Sequence, residues 1–473
     1  MASPFKIFLK FSFGTWINAI ISLVSIPVIT WFIEPAEIGK ATIFTISYNL
    51  LLNVLLLGID QSFVRFFNES EAKDKTKLLI NAAVPTALAI VTSVLAIEIL
   101  RNSLSIFFFS NNEYAFIIDL LSFVLIVGCI NRYALLVLRM QNKAIAYSAV
   151  NVLLSLSNLV VTILSIVFFS KTFISVVIGF TVSQFVAMLL AVFLELNLWK
   201  KVMAARVQID KRYMQQLLAY GIPFVPTLAF DWIFQSSDRT FLRIYSTFTE
   251  IGIYATASRV ASALNILQTS FSTFWIPFVF ERFARNENDK SFYRHIFNVV
   301  TGAFLLAIQI AIASKDLIQF VLPKNYHESI VIFTPLLFVP MFYALSDITS
   351  VGINLKRKTI FHFYVLITCS AASITAGSLL IPALGAKGAV LSTFLSFLTF
   401  FIMRSILGLR LYQLPLDWRN FIIILILTVM LAAISFFYPT FPMYWLCIPC
   451  SVLTAFVYKE TLKDLFLQIK SLR

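Results

Sequence analysis

Residues 217–281 read LLAYGIPFVPTLAFDWIFQSSDRTFLRIYSTFTEIGIYATASRVASALNILQTSFSTFWIPFVFE, and the reading of this stretch decides the fold. It contains two apolar segments, Leu217 to Phe241 and Ile251 to Phe280, joined by a short polar turn at Thr247 to Gly252. Each segment is long enough to cross a hydrocarbon layer about 30 Å thick at about 1.5 Å per helical residue. Inside them stand Asp231, Gln235, Asp238, Arg239 and Arg259. A charge at the centre of a spanning helix costs roughly 2.5 to 3.5 kcal/mol on insertion scales, so these groups need one another or a wet cavity. The pair is therefore a candidate lining for a polar pathway.

Working outward, the whole chain has the same character. Of its 473 residues 59% are hydrophobic and 13% charged, with 49 Phe, which leaves too little polar surface for a soluble globule. The apolar runs are continuous rather than alternating, and this selects helices over a barrel. About fourteen spans are expected, near residues 8–33, 41–60, 78–100, 115–138, 144–169, 173–196, 217–241, 251–280, 292–314, 329–352, 360–381, 388–409, 421–438 and 443–458. The first run is too long for a signal-peptide core, and no A-x-A-like cleavage site follows it, so it reads as a helix.

With a cytoplasmic N-terminus, about 26 Lys and Arg fall on inside segments and about 7 outside, a strong positive-inside bias. Both termini are expected in the cytoplasm. The net charge of +14 follows from this bias and from attraction to anionic lipid, and not from nucleic-acid binding.

An internal repeat is visible. WFIEPAEIGKATIF leads into LLLGIDQSFVRFFNE near the start, and YSTFTEIGIYATAS leads into STFWIPFVFERF past the middle. Glu37, Ile38 and Gly39 match Glu250, Ile251 and Gly252 at one common offset, and Glu69 and Glu281 close the second helix of each pair. The Glu-x-Gly itself reads as a tight turn at an exposed helix junction, which glycine permits. The expected architecture is an all-α polytopic membrane protein of two pseudo-symmetric six-helix lobes, residues 1–200 and 201–412. Two further helices and a cytoplasmic amphipathic tail occupy residues 413–473. Two equivalent lobes are the parts of a rocking transporter.

These residues carry a family resemblance. The segments are GIDQSFVRFF at Gly58–Phe67, YGIPFVP at Tyr220–Pro226, SSDRTFLRIYSTFTEIGIYATASRV at Ser236–Val260 and FWIPFVFE at Phe274–Glu281. A weaker one is LIPALGAKGAVLSTFLS at Leu380–Ser396. The chain resembles the O-antigen and polysaccharide flippases of the multidrug/oligosaccharidyl-lipid/polysaccharide exporter (MOP) superfamily, which also holds the MATE exporters and the lipid II flippases. One departure is SAASITAGS before LIPALGAKGA, where the family often has Asn. The resemblance implies a flippase with no catalytic activity. It would move an undecaprenyl-diphosphate-linked oligosaccharide, the repeat unit of O-antigen, capsule or exopolysaccharide, from the cytoplasmic to the periplasmic leaflet of a bacterial inner membrane. Membrane lipid would surround it, and polymerase and chain-length proteins would be its partners.

A diphosphate is attracted to Arg far more strongly in a low-dielectric cleft than in water. Candidate members of such a cationic cavity are Arg65, Arg132, Arg239, Arg259 and Arg404. Gln61 and Gln235 stand one turn before Arg65 and Arg239 and share their faces. Each has a plainer reading. Arg239 suits a gate or capping salt bridge with Asp238, Arg65 a loop charge beside Glu69, and Arg132 and Arg404 suit pairing with Asp119 or lipid phosphate. No G-x-x-x-x-G-K-[ST] loop occurs, so transport would draw on an H+ or Na+ gradient through an intramembrane carboxylate. Candidates are Asp60, Asp231, Asp238 and Asp347; Asp60 can instead pair with Arg65. Pro27, Pro85, Pro223, Pro226, Pro277, Pro335 and Pro340 are expected inside helices. Pro27, Pro223 and Pro226 are the hinge candidates.

Other chemistry is sparse. Cys129, Cys369, Cys447 and Cys450 lie in or beside apolar runs and read as packing. His295, His327 and His362 are scattered, so no metal is expected, nor any cofactor. Leu462, Leu465, Phe466, Ile469 and Leu472 share one face of an expected interfacial helix. Two rivals stand beside the flippase. A membrane polymerase or ligase would need a sizeable outside loop, and the longest here have about a dozen residues. A MATE-like cation exporter would favour buried Asp over the buried excess of Arg.

Overall fold

The computed structural model describes residues 4–69, 74–204, 209–285 and 290–459. Among them every regular element is a helix. The amphipathic tail expected at Leu462 to Leu472 lies outside the described residues. Ten helices among the described residues are long and apolar enough to cross a membrane, or eleven if a pair bent by 53° near Phe333 is one span. The expected count of fourteen is not confirmed. Helix forms in the other three places: Pro4–Thr30 covers the first, Tyr444–Val457 covers the last with 14 residues, and the 251–280 run is broken by a 3-10 turn at Ser262–Leu264.

The chain divides into two compact units, Met1–Trp232 and Ile233–Arg473. In the first, Phe44, Phe63, Val124, Leu125 and Val137 form a core between the helices Pro35–Leu55, Ile59–Phe67 and Ala115–Met140. The second expected span is broken at Leu56–Gly58, where Leu57 and Gly58 both take positive φ. Lys211–Gly221 packs against the Ile59–Phe67 helix, and Ser62 donates to Leu217 O at 2.6 Å. A Cβ on Gly58 would stand 2.2 Å from Gly221 O, so only glycine allows this approach.

The seventh expected span is likewise two helices, Lys211–Gly221 and Phe224–Tyr245. Pro223 stands in the break, where its missing N–H interrupts no helix. Pro226 is in the first turn that follows, where an N–H has no helical partner in any case. Pro335 lies in a 3-10 turn, Thr334–Leu337, and Pro340 in the first turn of Phe338–Thr349. Of these four, Pro226 and Pro340 lie within helices, in their first turns, whereas Pro223 and Pro335 do not lie in an α-helix. Pro27, Pro85 and Pro277 do lie inside helices.

The reading of Glu-Ile-Gly as a turn is also corrected. Thr247 caps the helix Phe248–Ala261, accepting from Glu250 N, so Glu250, Ile251 and Gly252 are helical. Glu37, Ile38 and Gly39 are equally inside the first turns of Pro35–Leu55. Each glutamate instead reaches a distant helix start. Glu37 Oε2 accepts from Phe173 N at 2.8 Å, at the first residue of Phe173–Leu194. Glu250 Oε2 accepts from Ala386 N, at the first residue of Ala386–Leu411. The spacing from carboxylate to amide is 136 residues in both, so the repeat extends to tertiary structure. A carboxylate suits a helix N-terminus, whose N–H groups are unpaired and whose dipole is positive.

In the second unit, Ile360–Leu384 and Ala386–Leu411 form a hairpin. Ser373, in the segment SAASITAGS, bonds Ser237 at 2.5 Å. The helices Trp418–Phe437 and Tyr444–Val457 are joined to Lys290–Ala313 by Gln309, which is fully buried. Its Nε2 donates to Thr428 Oγ1 at 2.8 Å and to Thr454 Oγ1 at 3.0 Å.

Candidate functional site

The candidate residues fall into three buried clusters and a set of more exposed positions. In the first unit Asp60 starts the Ile59–Phe67 helix and is buried. Its Oδ2 accepts from Arg132 Nη2 at 2.8 Å and from Gln61 Nε2 at 3.0 Å. The partner is Arg132, so neither the Asp60–Arg65 pairing nor an Arg132–Asp119 pairing forms. Asp119 pairs with Arg101 at 2.9 Å, and Arg65 with Glu69 at 2.8 Å, with both of the latter side chains exposed. Arg65 is thus a charge at a helix end, and Gln61 serves Asp60 rather than Arg65.

The second cluster surrounds Asp238. Its Oδ2 accepts from Tyr254 Oη and from Thr393 Oγ1, the latter at 3.1 Å, and its Oδ1 accepts from Arg239 N at 2.7 Å. The Arg239 guanidinium lies 3.8 Å from Asp238, donates to Gln235 O at 3.1 Å and sits over the Tyr254 ring. Asp238 and Arg239 therefore form the salt bridge that sequence allowed. Asp231 stands half-buried two turns earlier on the same helix, and Gln235 is exposed.

The third cluster is a closed knot. Arg404 Nη1 donates to Asp347 Oδ1 at 3.0 Å and to Ser346 Oγ at 2.8 Å, while its guanidinium lies over Tyr343 and Phe400. Ser272 donates to Asp347 Oδ2 at 2.5 Å, and Trp275 Nε1 to Asp347 O at 3.1 Å. Three helices, Asn265–Ala284, Phe338–Thr349 and Ala386–Leu411, are tied together by this pair.

Arg259 differs from all of these. It lies near the end of Phe248–Ala261 and is exposed, and its side chain makes no hydrogen bond or ion pair among the described residues. Its guanidinium lies within electrostatic range of the Tyr326 phenol and of the Arg239 guanidinium. Two cations brought together without a carboxylate on Arg259 make a place for an anion. Outside the spans, the Lys77 hydrogen bond, at 2.8 Å, and backbone N–H groups hold the Asp210 carboxyl below its ordinary range.

Tyr254, Thr393, Ser272, Ser346 and Trp275 were not anticipated as members of these clusters. They are neutral residues within apolar runs, and their role depends on neighbours up to 155 residues away. No group of three or more His, Cys, Asp or Glu able to hold a metal forms among the described residues.

Ten or eleven apolar helices among the described residues, with carboxylate–arginine pairs inside them, define a multi-pass membrane protein. The chain belongs to the polysaccharide biosynthesis protein family, whose profile matches residues 8–283. No curated protein matches it in sequence. Among solved structures it is similar to the lipid II flippase MurJ in an inward closed conformation. The TM-score is 0.75 at 14% identity, over 96% of this chain and 99% of that one. An inward-facing MATE family multidrug resistance transporter of the MOP superfamily gives a TM-score of 0.60 at 12% identity, over 82% and 93%. A MOP superfamily transporter from Pyrococcus furiosus, described as having a binding pocket of reverse polarity, gives 0.53 at 14%, over 85% and 94%. The resemblance noted in the sequence holds for family and for fold.

Proposed function

We propose that this protein is a flippase for a lipid-linked oligosaccharide carrying a diphosphate, the repeat unit of a surface polysaccharide. The observation that carries this reading is Arg259, an exposed and unpaired cation in an apolar chain, with Arg239 near it. In a medium of low dielectric such a charge calls for an anionic cargo. Family membership supports a role in polysaccharide synthesis, and the likeness to a lipid II flippase agrees with a lipid-linked sugar. The positive-inside bias supports a bacterial inner membrane with both termini in the cytoplasm. The working parts are a lobe at 1–200, a lobe at 201–412 and an extension at 413–473, moving by alternating access.

Asp231 and Asp238, on one helix, are the carboxylates we assign to a coupling ion, H+ or Na+. Polymerase and chain-length proteins would receive the product. The test is to follow undecaprenyl-diphosphate oligosaccharide across liposomes holding the protein or its Arg259→Gln variant. Transport by the first and its loss in the second supports the reading. Equal transport by both removes its main support, and export of organic cations instead would make this a drug exporter.

A further inference from the structure

Two of the Asp–Arg pairs, Asp60–Arg132 and Asp347–Arg404, are built differently. Arg404 is closed, with a side chain 10% exposed, two acceptors and two aromatic rings against it. Asp60 is buried to the same degree as Asp347, with its side chain 4% exposed, but Arg132 is 46% exposed. Among the described residues the guanidinium of Arg132 has one acceptor, Asp60 Oδ2. Gln61 donates to that same oxygen and so fixes the carboxylate. Asp60 Oδ1 is buried and has no hydrogen-bond partner among the described residues.

A guanidinium has five N–H donors in a planar fork, so most of those on Arg132 are open. Their charge, however, is already balanced by Asp60. A diphosphate is drawn by uncompensated positive charge, as at Arg259, and gains less from a neutral pair. Open donors whose charge is already balanced suit a neutral acceptor. A sugar hydroxyl is one, taking a guanidinium N–H on its oxygen.

We propose that Arg132, held in place by Asp60 and Gln61, is a seat for carbohydrate hydroxyls. It is chemically distinct from the anion seat at Arg259. The proposal rests on the lipid-linked oligosaccharide reading above. Asp60 and Gln61 are positioning residues that act through Arg132.

The test compares binding of undecaprenyl diphosphate and of an undecaprenyl-diphosphate-linked tetrasaccharide to the purified full chain in nanodiscs. The unaltered protein should bind the sugar-bearing lipid ~10-fold more tightly, the scale of one hydrogen bond to a charged group. Arg132→Lys keeps a cation beside Asp60 but removes the fork. It should bring that ratio close to one while changing the affinity for the sugar-free lipid by less than ~2-fold. Asp60→Asn leaves Arg132 uncompensated and should strengthen binding of the sugar-free diphosphate while shrinking the ratio. A purely structural role would weaken both lipids together in both variants. Such a parallel loss, or an unchanged ratio in Arg132→Lys, overturns the seat. If the unaltered protein binds neither lipid, the flippase reading fails with it; if Arg259→Gln weakens both lipids while Arg132→Lys keeps the ratio, the seat alone fails.

Discussion

Arg259 and Arg404 are the same residue type in opposite settings, and the account assigns them opposite consequences. Replacing Arg404 by Met leaves Asp347 buried without its partner, and breaking such a pair costs about 3 to 5 kcal/mol. Thermal unfolding in detergent should show this loss. Arg259→Gln removes no side-chain hydrogen bond or ion pair among the described residues, so the melting temperature should stay within about 1 °C while transport disappears. A second prediction concerns pH. Lys77 holds Asp210 below the ordinary carboxylate range, so the stability it adds is complete above about pH 3.9 and fades as pH falls through the depressed folded value. Asp210→Asn should therefore lower the melting temperature equally at about pH 7 and about pH 5 and have little effect at about pH 2. Asn also caps helices well, so this difference reports the charge. The individual charges were legible in the sequence, because a charge stands out in an apolar run. Their partners were not. Asp60 and Arg132 are 72 residues apart and Asp347 and Arg404 are 57, and hydropathy gives spans without giving neighbours. Only pairs close in sequence, such as Arg65 with Glu69 and Asp238 with Arg239, could be read directly.

Helix ends and breaks carry the constraints of the next scale. Gly58 and Gly221 meet backbone to backbone where two broken spans cross inside the first unit. Gly221→Ala places a methyl about 2.9 Å from the Gly58 carbonyl and should cost about 1 to 3 kcal/mol, measured by thermal unfolding. Glu37 and Glu250 cap the starts of Phe173–Leu194 and Ala386–Leu411. Glu37→Ala and Glu250→Ala should each lose about 0.5 to 2 kcal/mol, whereas Gln, which keeps an acceptor, should lose less. The two belong to different units with no shared partner, so the double variant should show the sum. The repeated Glu-Ile-Gly was visible in the sequence, but its meaning was not. Glycine near a polar junction reads locally as a turn, and the glutamate's partner is 136 residues further on.

For the whole molecule, the matched caps show a duplicated scaffold, and the buried charges show that its chemistry is not duplicated. Asp60 pairs with Arg132 in one unit; Asp238, Tyr254 and Thr393 cluster in the other. The all-helical membrane fold was legible because continuous apolar runs leave no other way to satisfy the backbone. The count of spans was less so, because breaks such as Ser262–Leu264 depend on packing and leave the composition unchanged. The final two helices are not loose appendages: Gln309 joins both to Lys290–Ala313, and Gln309→Leu should leave Thr428 and Thr454 without it and lower stability by about 1 to 3 kcal/mol. The central claim is movement of a lipid-linked sugar, and it is tested most directly in liposomes containing only this protein and undecaprenyl-diphosphate oligosaccharide confined to one leaflet. The account predicts that the sugar becomes accessible to a glycosidase on the far side, faster with an H+ or Na+ gradient imposed and not at all in protein-free vesicles. Sugar that stays in its original leaflet under every gradient, while the same vesicles export organic cations or lengthen the sugar chain, would contradict it.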